Sequence, residues 1–148
     1  MLDIGANVGY YTLLAARLVG PSGMVYAFEP ERSNFQLLVE NITLNRYRNV
    51  VPVEKAVSNT CGRTELFLDP ENFGAHSLSP QCCDTRSKPV TVETVTLDNF
   101  LRRTHDMHVD VIKIDVQGAE GLALEGARQM LAANPQLTIF MEFLALCA

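Results

Sequence analysis

The first ten residues constrain the fold more than any other stretch. Leu2-Asp3-Ile4 is a short apolar run carrying one acid, and Gly5-Ala6-Asn7-Val8-Gly9 follows it as a glycine-bearing turn. Tyr11, Leu14, Ala15 and Leu18 then recur at i, i+3, i+4 and i+7, which reads as one apolar face of a helix. A strand, a glycine turn and a helix in that order open a parallel α/β unit. In open sheets of that kind ligands bind outside the carboxyl ends of the strands.

The rest of the chain repeats the alternation. Gly20-Pro21 stops the first helix, and residues 24–28 form a buried type of strand closed by Glu29-Pro30. Ser33-x-x-Gln36 is a capping-box pattern before Phe35, Leu38, Val39 and Ile42, so a second helix is expected to about Asn45. Residues 49–57 read as a third strand, at the sheet edge because Pro52 lies inside it. Two further β-like stretches, 64–68 and 90–95, flank residues 69–89, a Pro-, Ser-, Asn-, Asp- and Gly-rich connection of a length that is usually functional or disordered. Thr96 or Asp98 can cap a short helix ending near Arg103. Residues 109–115 are the fourth main strand, and Gly118 turns the chain into a helix over 119–132 with Leu124, Ala127 and Leu131 on its core face. Asn134-Pro135 ends that helix, and 137–143 is the fifth main strand. Main strands alternating with helices predict a parallel sheet covered on both faces. No repeat or linker divides the chain, so residues 1–148 read as a single domain.

Composition narrows the function classes. At 148 residues and 47% hydrophobic, the chain can bury a core without metal or disulfide staples. Its net charge of −5 and lack of a basic run argue against a nucleic-acid partner. No apolar stretch approaches the roughly 18–20 residues of a membrane span. Arg17 and Glu142 break the longest candidates. The amino-terminal residues have no basic region and contain Asp3, unlike a signal peptide. Cys61, Cys82, Cys83 and Cys147 form no C-x-x-C pair, so they read as free thiols in a reducing, cytoplasmic setting, a vicinal Cys82–Cys83 disulfide being the unusual alternative. His105, Asp106, His108 and Asp110 are too loosely spaced in a connector to suggest a metal site.

The turn itself discriminates between ligands. Counted from Gly5, the dinucleotide pattern G-x-G-x-x-G would need glycine where Asn7 and Tyr10 stand. Those glycines serve pyrophosphate approach and helix–strand packing, so a nicotinamide dinucleotide is disfavoured. No G-K-[ST] follows, which excludes a P-loop. A nucleoside without phosphates tolerates the turn better, since Gly5 and Gly9 still permit close backbone approach. Glu29, at the end of the second strand, can accept hydrogen bonds from both hydroxyls of a ribose and would repel a 2′-phosphate. S-adenosylmethionine is a nucleoside of that kind, and its sulfonium cation suits an acidic pocket.

Three stretches, LDIGANVGYYTLLAA, YAFEPERSNFQLLVENITLN and IKIDVQGAEGLALEGA, together resemble the FkbM family of S-adenosylmethionine-dependent methyltransferases. The resemblance covers nearly the whole chain. It implies a Rossmann-like class I methyltransferase sheet of strand order 3-2-1-4-5, with a β insertion between strands 3 and 4. It also implies O-methylation of a hydroxyl on a small molecule or carbohydrate. Carried over by position, the cofactor turn falls on Asp3, Gly5, Asn7 and Gly9, the ribose-binding acid on Glu29, and the block after the fourth strand on Asp115, Gly118 and Glu120. Asn72-Phe73-Gly74-Ala75-His76-Ser77-Leu78 resembles the family's N-x-G-x-x-S segment and is expected near the acceptor. Gln117 stands where many members carry Glu. Family members usually have helices before the first strand and a further helix and two strands after the fifth, so the chain reads as a core truncated at both ends, with residues 143–148 as an interior apolar segment.

Transfer of a methyl group to a hydroxyl benefits from a general base. Asp115, at the carboxyl end of a central strand, is the leading candidate, and His76 is the alternative. Lys113, two residues before Asp115, lies on the same strand face and needs an acidic partner if buried. Asp3, Lys113, Asp115 and Glu142 are therefore expected to form an ionic cluster at or below the pocket floor, with a catalytic and a purely structural role both open. A domain that binds S-adenosylmethionine without catalysis is the competing function.

Overall fold

The structure is a computed structural model, and it describes residues 1–69, 76–79, 88–104 and 108–142. In chain order the elements are β1 (Leu2–Ile4), α1 (Tyr10–Val19), β2 (Val25–Phe28), α2 (Arg32–Leu44), β3 (Val50–Val53), β4 (Ala56–Val57), β5 (Gly62–Leu68), β6 (Lys88–Val95), α3 (Leu97–Thr104), β7 (Val111–Ile114), α4 (Glu120–Glu125), α5 (Arg128–Ala133) and β8 (Thr138–Met141). Five strands form a parallel sheet in the order β3-β2-β1-β7-β8. This is the expected 3-2-1-4-5 order of the main strands. The chain leaves β1 toward one edge and returns to its other side at β7, so the switch point lies between those two strands.

The alternation of side chains across each strand divides the core. Leu2, Ile4, Phe28, Ile112 and Ile114 face one layer, where they pack with α3 and with Ala123, Ala127 and Met130. Val25, Ala27 and Val50 face the other layer, against Ala15, Ala16, Leu38 and Ile42 of the first two helices. The stretch expected as one strand over 49–57 splits in two. Val50–Val53 forms the edge of the main sheet, as Pro52 requires, while Ala56–Val57 joins a second sheet of order β4-β6-β5. In that sheet β5 and β6 pair antiparallel and β4 lies parallel to β6.

Three local expectations are corrected, and for the third helix one of the two expected caps is borne out. The buried face of α1 is Thr12, Ala15 and Ala16, whereas Tyr11, Leu14 and Leu18 are exposed. Small residues let the helix lie close to the sheet, and the larger side chains are left lining an apolar groove of about 770 Å³ with Phe140 and Met141. The cap of α2 is Glu31, whose carboxylate accepts the Asn34 N–H at 2.7 Å, and Ser33 lies inside the helix. Thr96 caps α3 through the Asn99 N–H, and Asp98 instead accepts the N–H groups of Gln129 and Met130 at the start of α5. The helix over 119–132 is broken at Gly126, where a Cβ would lie 2.1 Å from the Ser58 carbonyl oxygen.

Cys61 is exposed and free. Cys82, Cys83, Cys147, the 72–75 part of the N-x-G-x-x-S segment, His105, Asp106 and the apolar residues 143–148 lie outside the described residues. Among the described residues no His, Cys, Asp and Glu side chains group in a way that could hold a metal, and no helix is long and apolar enough to cross a membrane.

Candidate active site

The turn after β1 is built by left-handed backbone. Gly5 has φ +77°, and a Cβ there would stand 2.0 Å from the Asp115 carbonyl oxygen. Glycine at this position lets the ends of β1 and β7 approach closely. The N–H groups of Gly5 and Ala6 both donate to the Phe28 carbonyl, at 3.0 and 2.9 Å. Asn7 takes φ +49°, a conformation asparagine adopts more readily than most residues, and its Oδ1 accepts the Val8 N–H at 2.6 Å. Gly9, at φ +96°, leaves room for Leu38 of α2.

Glu29 extends from the carboxyl end of β2 into this turn. It is buried, with Oε2 accepting the Asn7 N–H at 2.8 Å and Oε1 accepting the Glu31 N–H at 3.0 Å. Loss of hydration outweighs these two donors and pushes the carboxyl up to about 7. Each oxygen keeps a lone pair beyond its backbone donor.

Asp3 and Lys113 face each other in register on β1 and β7. Asp3 is fully buried, and its Oδ2 accepts the Thr12 hydroxyl at 2.6 Å. Its Oδ1 has no hydrogen bond but lies 3.4 Å from Lys113 Nζ. Lys113 Nζ donates to the Gly5 carbonyl at 2.9 Å, lies 3.5 Å from Asp115 Oδ2, and sits over the Tyr11 ring. Three members of the expected ionic cluster are thus together. Glu142 is not part of it: among the described residues no ion pair joins it to Lys113. The register sets Phe140 opposite Lys113, and Glu142 is exposed beyond the end of β8.

The turn after β7 shapes the opposite wall. Asp115 Oδ1 accepts the Gln117 side-chain amide at 2.9 Å. Glu120 is buried, and its Oε1 accepts the Gly118 N–H at 3.0 Å, so it caps this turn from within. His76 is half-buried, which lowers its pKa from the ordinary value. Its Nδ1 accepts the Asp69 N–H at 3.1 Å, so the neutral ring carries its proton on Nε2.

Gly5, Asn7, Glu29, His76 and Asp115 line one cleft at the carboxyl ends of β1, β2 and β7. Asp3, Gly9, Lys113, Gly118 and Glu120 do not line it and support its walls from behind. Sequence reasoning missed Lys55, Leu66 and Val116, which also line it, and Thr12, which fixes Asp3. A long helix residue gives no sign in sequence that its hydroxyl meets a carboxylate nine residues earlier. The cleft measures about 130 Å³. Ligand pockets start at roughly 300 Å³, so the cleft as it stands is smaller than one that encloses a whole nucleoside.

A strand-end carboxylate beside a glycine turn, at the switch point of a 3-2-1-4-5 sheet, agrees with what comparison with known proteins shows. The model of the Methyltransferase FkbM domain matches residues 3–145. The chain belongs to the FkbM methyltransferase family. Its relatives include the hexuronic acid methyltransferase AglP of Haloferax volcanii, 25% identical over 132 residues, an alignment covering 87% of this chain and 50% of that protein. Methyltransferase sdnD of Sordaria araneosa is 27% identical over 154 residues, covering 85% of this chain and 59% of that one. The chain therefore spans between half and three-fifths of the length of these two relatives. The crystal structure of Methyltransferase FkbM from Methylobacillus flagellatus superposes with a TM-score of 0.66 at 20% identity, over 95% of this chain and 32% of that one. That likeness shows that the fold is shared.

Proposed function

We propose that this FkbM-family chain binds S-adenosylmethionine in the cleft and forms the core of an enzyme that methylates a hydroxyl group on a carbohydrate or other small molecule. The observation that carries the reading is Glu29. Its carboxylate is buried at the cleft with one backbone donor on each oxygen, leaving acceptor capacity for a vicinal diol. Gly5 and Asn7 let the backbone come close on the same side, and the acidic lining suits a cation. Bound there, S-adenosylmethionine supplies an electrophilic methyl group.

The chain's own residues then have separate tasks. Glu29 accepts from the ribose hydroxyls, and Asp3 and Lys113 brace the β1 turn from below. Asp115, partly exposed and held by Lys113 and Gln117, is the carboxylate placed to accept a proton or a hydrogen bond from the acceptor hydroxyl. The hexuronic acid named for AglP points to uronic-acid carbohydrates as the first acceptors to try. The test is transfer of labelled methyl from S-adenosylmethionine to a panel of hydroxylated acceptors, uronic-acid oligosaccharides first, by the full-length protein. Transfer to a hydroxyl, reduced at least tenfold by Asp115→Asn, supports the reading. Binding without transfer to any acceptor in the panel would make the domain a non-catalytic binder. Turnover unchanged by Asp115→Asn would remove that residue as the base.

A further inference from the structure

The turn after β7 holds Gln117 at φ +49°, in left-handed backbone that a long unbranched side chain rarely adopts. Such a residue persists only where its surroundings over-determine it. Two contacts do so. The Gln117 side chain donates to Asp115 Oδ1 at 2.9 Å, and the Gln117 carbonyl accepts the hydroxyl of Ser77 at 2.5 Å. Ser77 comes from the connection between β5 and β6, forty residues earlier in the chain. It is fully buried and is itself fixed by a two-way backbone pairing with Phe67, at 2.8 and 3.1 Å. Its hydroxyl oxygen also accepts the Ser79 N–H at 3.0 Å, so the hydroxyl proton is directed to Gln117.

We infer that Ser77 is a positioning residue for the Asp115 carboxylate, acting through the left-handed Gln117 turn. Clamping the Gln117 carbonyl fixes the backbone that aims its side-chain amide at Oδ1 of Asp115. With Oδ1 so engaged, Oδ2 is left beside Lys113, and the carboxylate is set in one orientation at the cleft. The clamp also seats the neighbours of Ser77, since His76 and Leu78 both line the cleft. The second sheet therefore serves the site in two ways, by supplying a wall and by setting the angle of a carboxylate on the first sheet. The inference deepens the proposed function and rests on it for the identity of the ligand.

The test is a double-mutant cycle in the full chain, read by the kcat of methyl transfer, by calorimetric titration with S-adenosylhomocysteine and by amide hydrogen exchange. Ser77→Ala removes the clamp. Gln117→Gly makes the left-handed turn free of strain and deletes the amide that Ser77 aims. Expected are a fall of about tenfold in kcat for Ser77→Ala with S-adenosylhomocysteine affinity unchanged, and no further fall when Ser77→Ala is added to Gln117→Gly. Exchange at Gly118, whose N–H is held by Glu120, should quicken at least tenfold in Ser77→Ala. If Ser77→Ala alone does not fold, the comparison of the double variant with Gln117→Gly decides. A wild-type kcat in Ser77→Ala, or losses that add, would overturn the inference. Failure of the wild-type chain to bind S-adenosylhomocysteine would instead sink the proposed function, and unchanged exchange at Gly118 would then sink the clamp as well.

Discussion

At the scale of single residues, the site depends on charges taken out of water. Glu29 gives a pH signature. Its carboxyl is raised from 4.5 to about 7, so between those values the folded chain holds a proton that the unfolded chain has lost. The contribution of Glu29 to stability is then greatest below pH 4.5 and falls by about 3 kcal/mol as the pH rises to 7. Denaturant titrations across that range should show this loss, and Glu29→Gln should flatten it. Binding that uses the ionised carboxylate as acceptor runs the other way and should strengthen as the pH rises through 7. Lys113 neutralises Asp3, which is fully buried with no hydrogen bond on Oδ1. Lys113→Met should cost about 3–5 kcal/mol in chemical denaturation, because it strands a buried anion. Glu29, Asp3 and Lys113 were legible in sequence, being charged residues in or at the ends of apolar strands. Thr12, the left-handed state of Gln117 and the bond from Ser77 to it were not, because each depends on a partner distant in sequence, although Ser77 itself stood out in the N-x-G-x-x-S segment.

At the scale of elements, the strands were read more accurately than the helix faces. A strand of three or four apolar residues leaves little choice of which side is buried. Spacing and hydrophobicity alone favour the larger side chains and predict that the first helix buries Tyr11, Leu14, Ala15 and Leu18, and of these only Ala15 is buried. Close approach to the sheet, with Thr12 bonded to Asp3, decides for the smaller ones. Of the two caps expected for α3, Thr96 serves it, and Asp98 serves α5, a contact set by how α3 and α5 pack. Asp98→Ala should therefore cost about 1 kcal/mol, seen as a lower denaturation midpoint, with helix content lost from α5 rather than α3. Gly126 has ordinary backbone angles, so its substitution tests packing alone. Gly126→Ala should destabilise by about 1–3 kcal/mol by driving a methyl group into the Ser58 carbonyl. A melting temperature equal to that of the wild type would show that the α4–α5 break has another cause.

At the scale of the whole molecule, two sheets meet at one cleft. The parallel sheet contributes the glycine turn, Glu29 and Asp115, and the smaller sheet contributes Ala56, Val57 and Leu66 from its strands, with His76 and Leu78 from the connection beside it. The alternation of strands and helices made the first sheet legible, together with the switch point that locates the cleft. The second sheet was visible only as two β-like stretches, because nothing local reveals that Ala56–Val57 leaves one sheet for the other. Its part in the site emerged from contacts such as Ser77 to Gln117. The central claim is that this cleft holds S-adenosylmethionine through Glu29. The most direct measurement is calorimetric titration of the chain at pH 8 with S-adenosylhomocysteine, beside NAD as a control and with Glu29→Ala in parallel. The account predicts saturable binding of one S-adenosylhomocysteine per chain, none of NAD, and at least a tenfold loss of affinity in a folded Glu29→Ala variant. Binding of NAD alone, or S-adenosylhomocysteine affinity indifferent to Glu29, would contradict it.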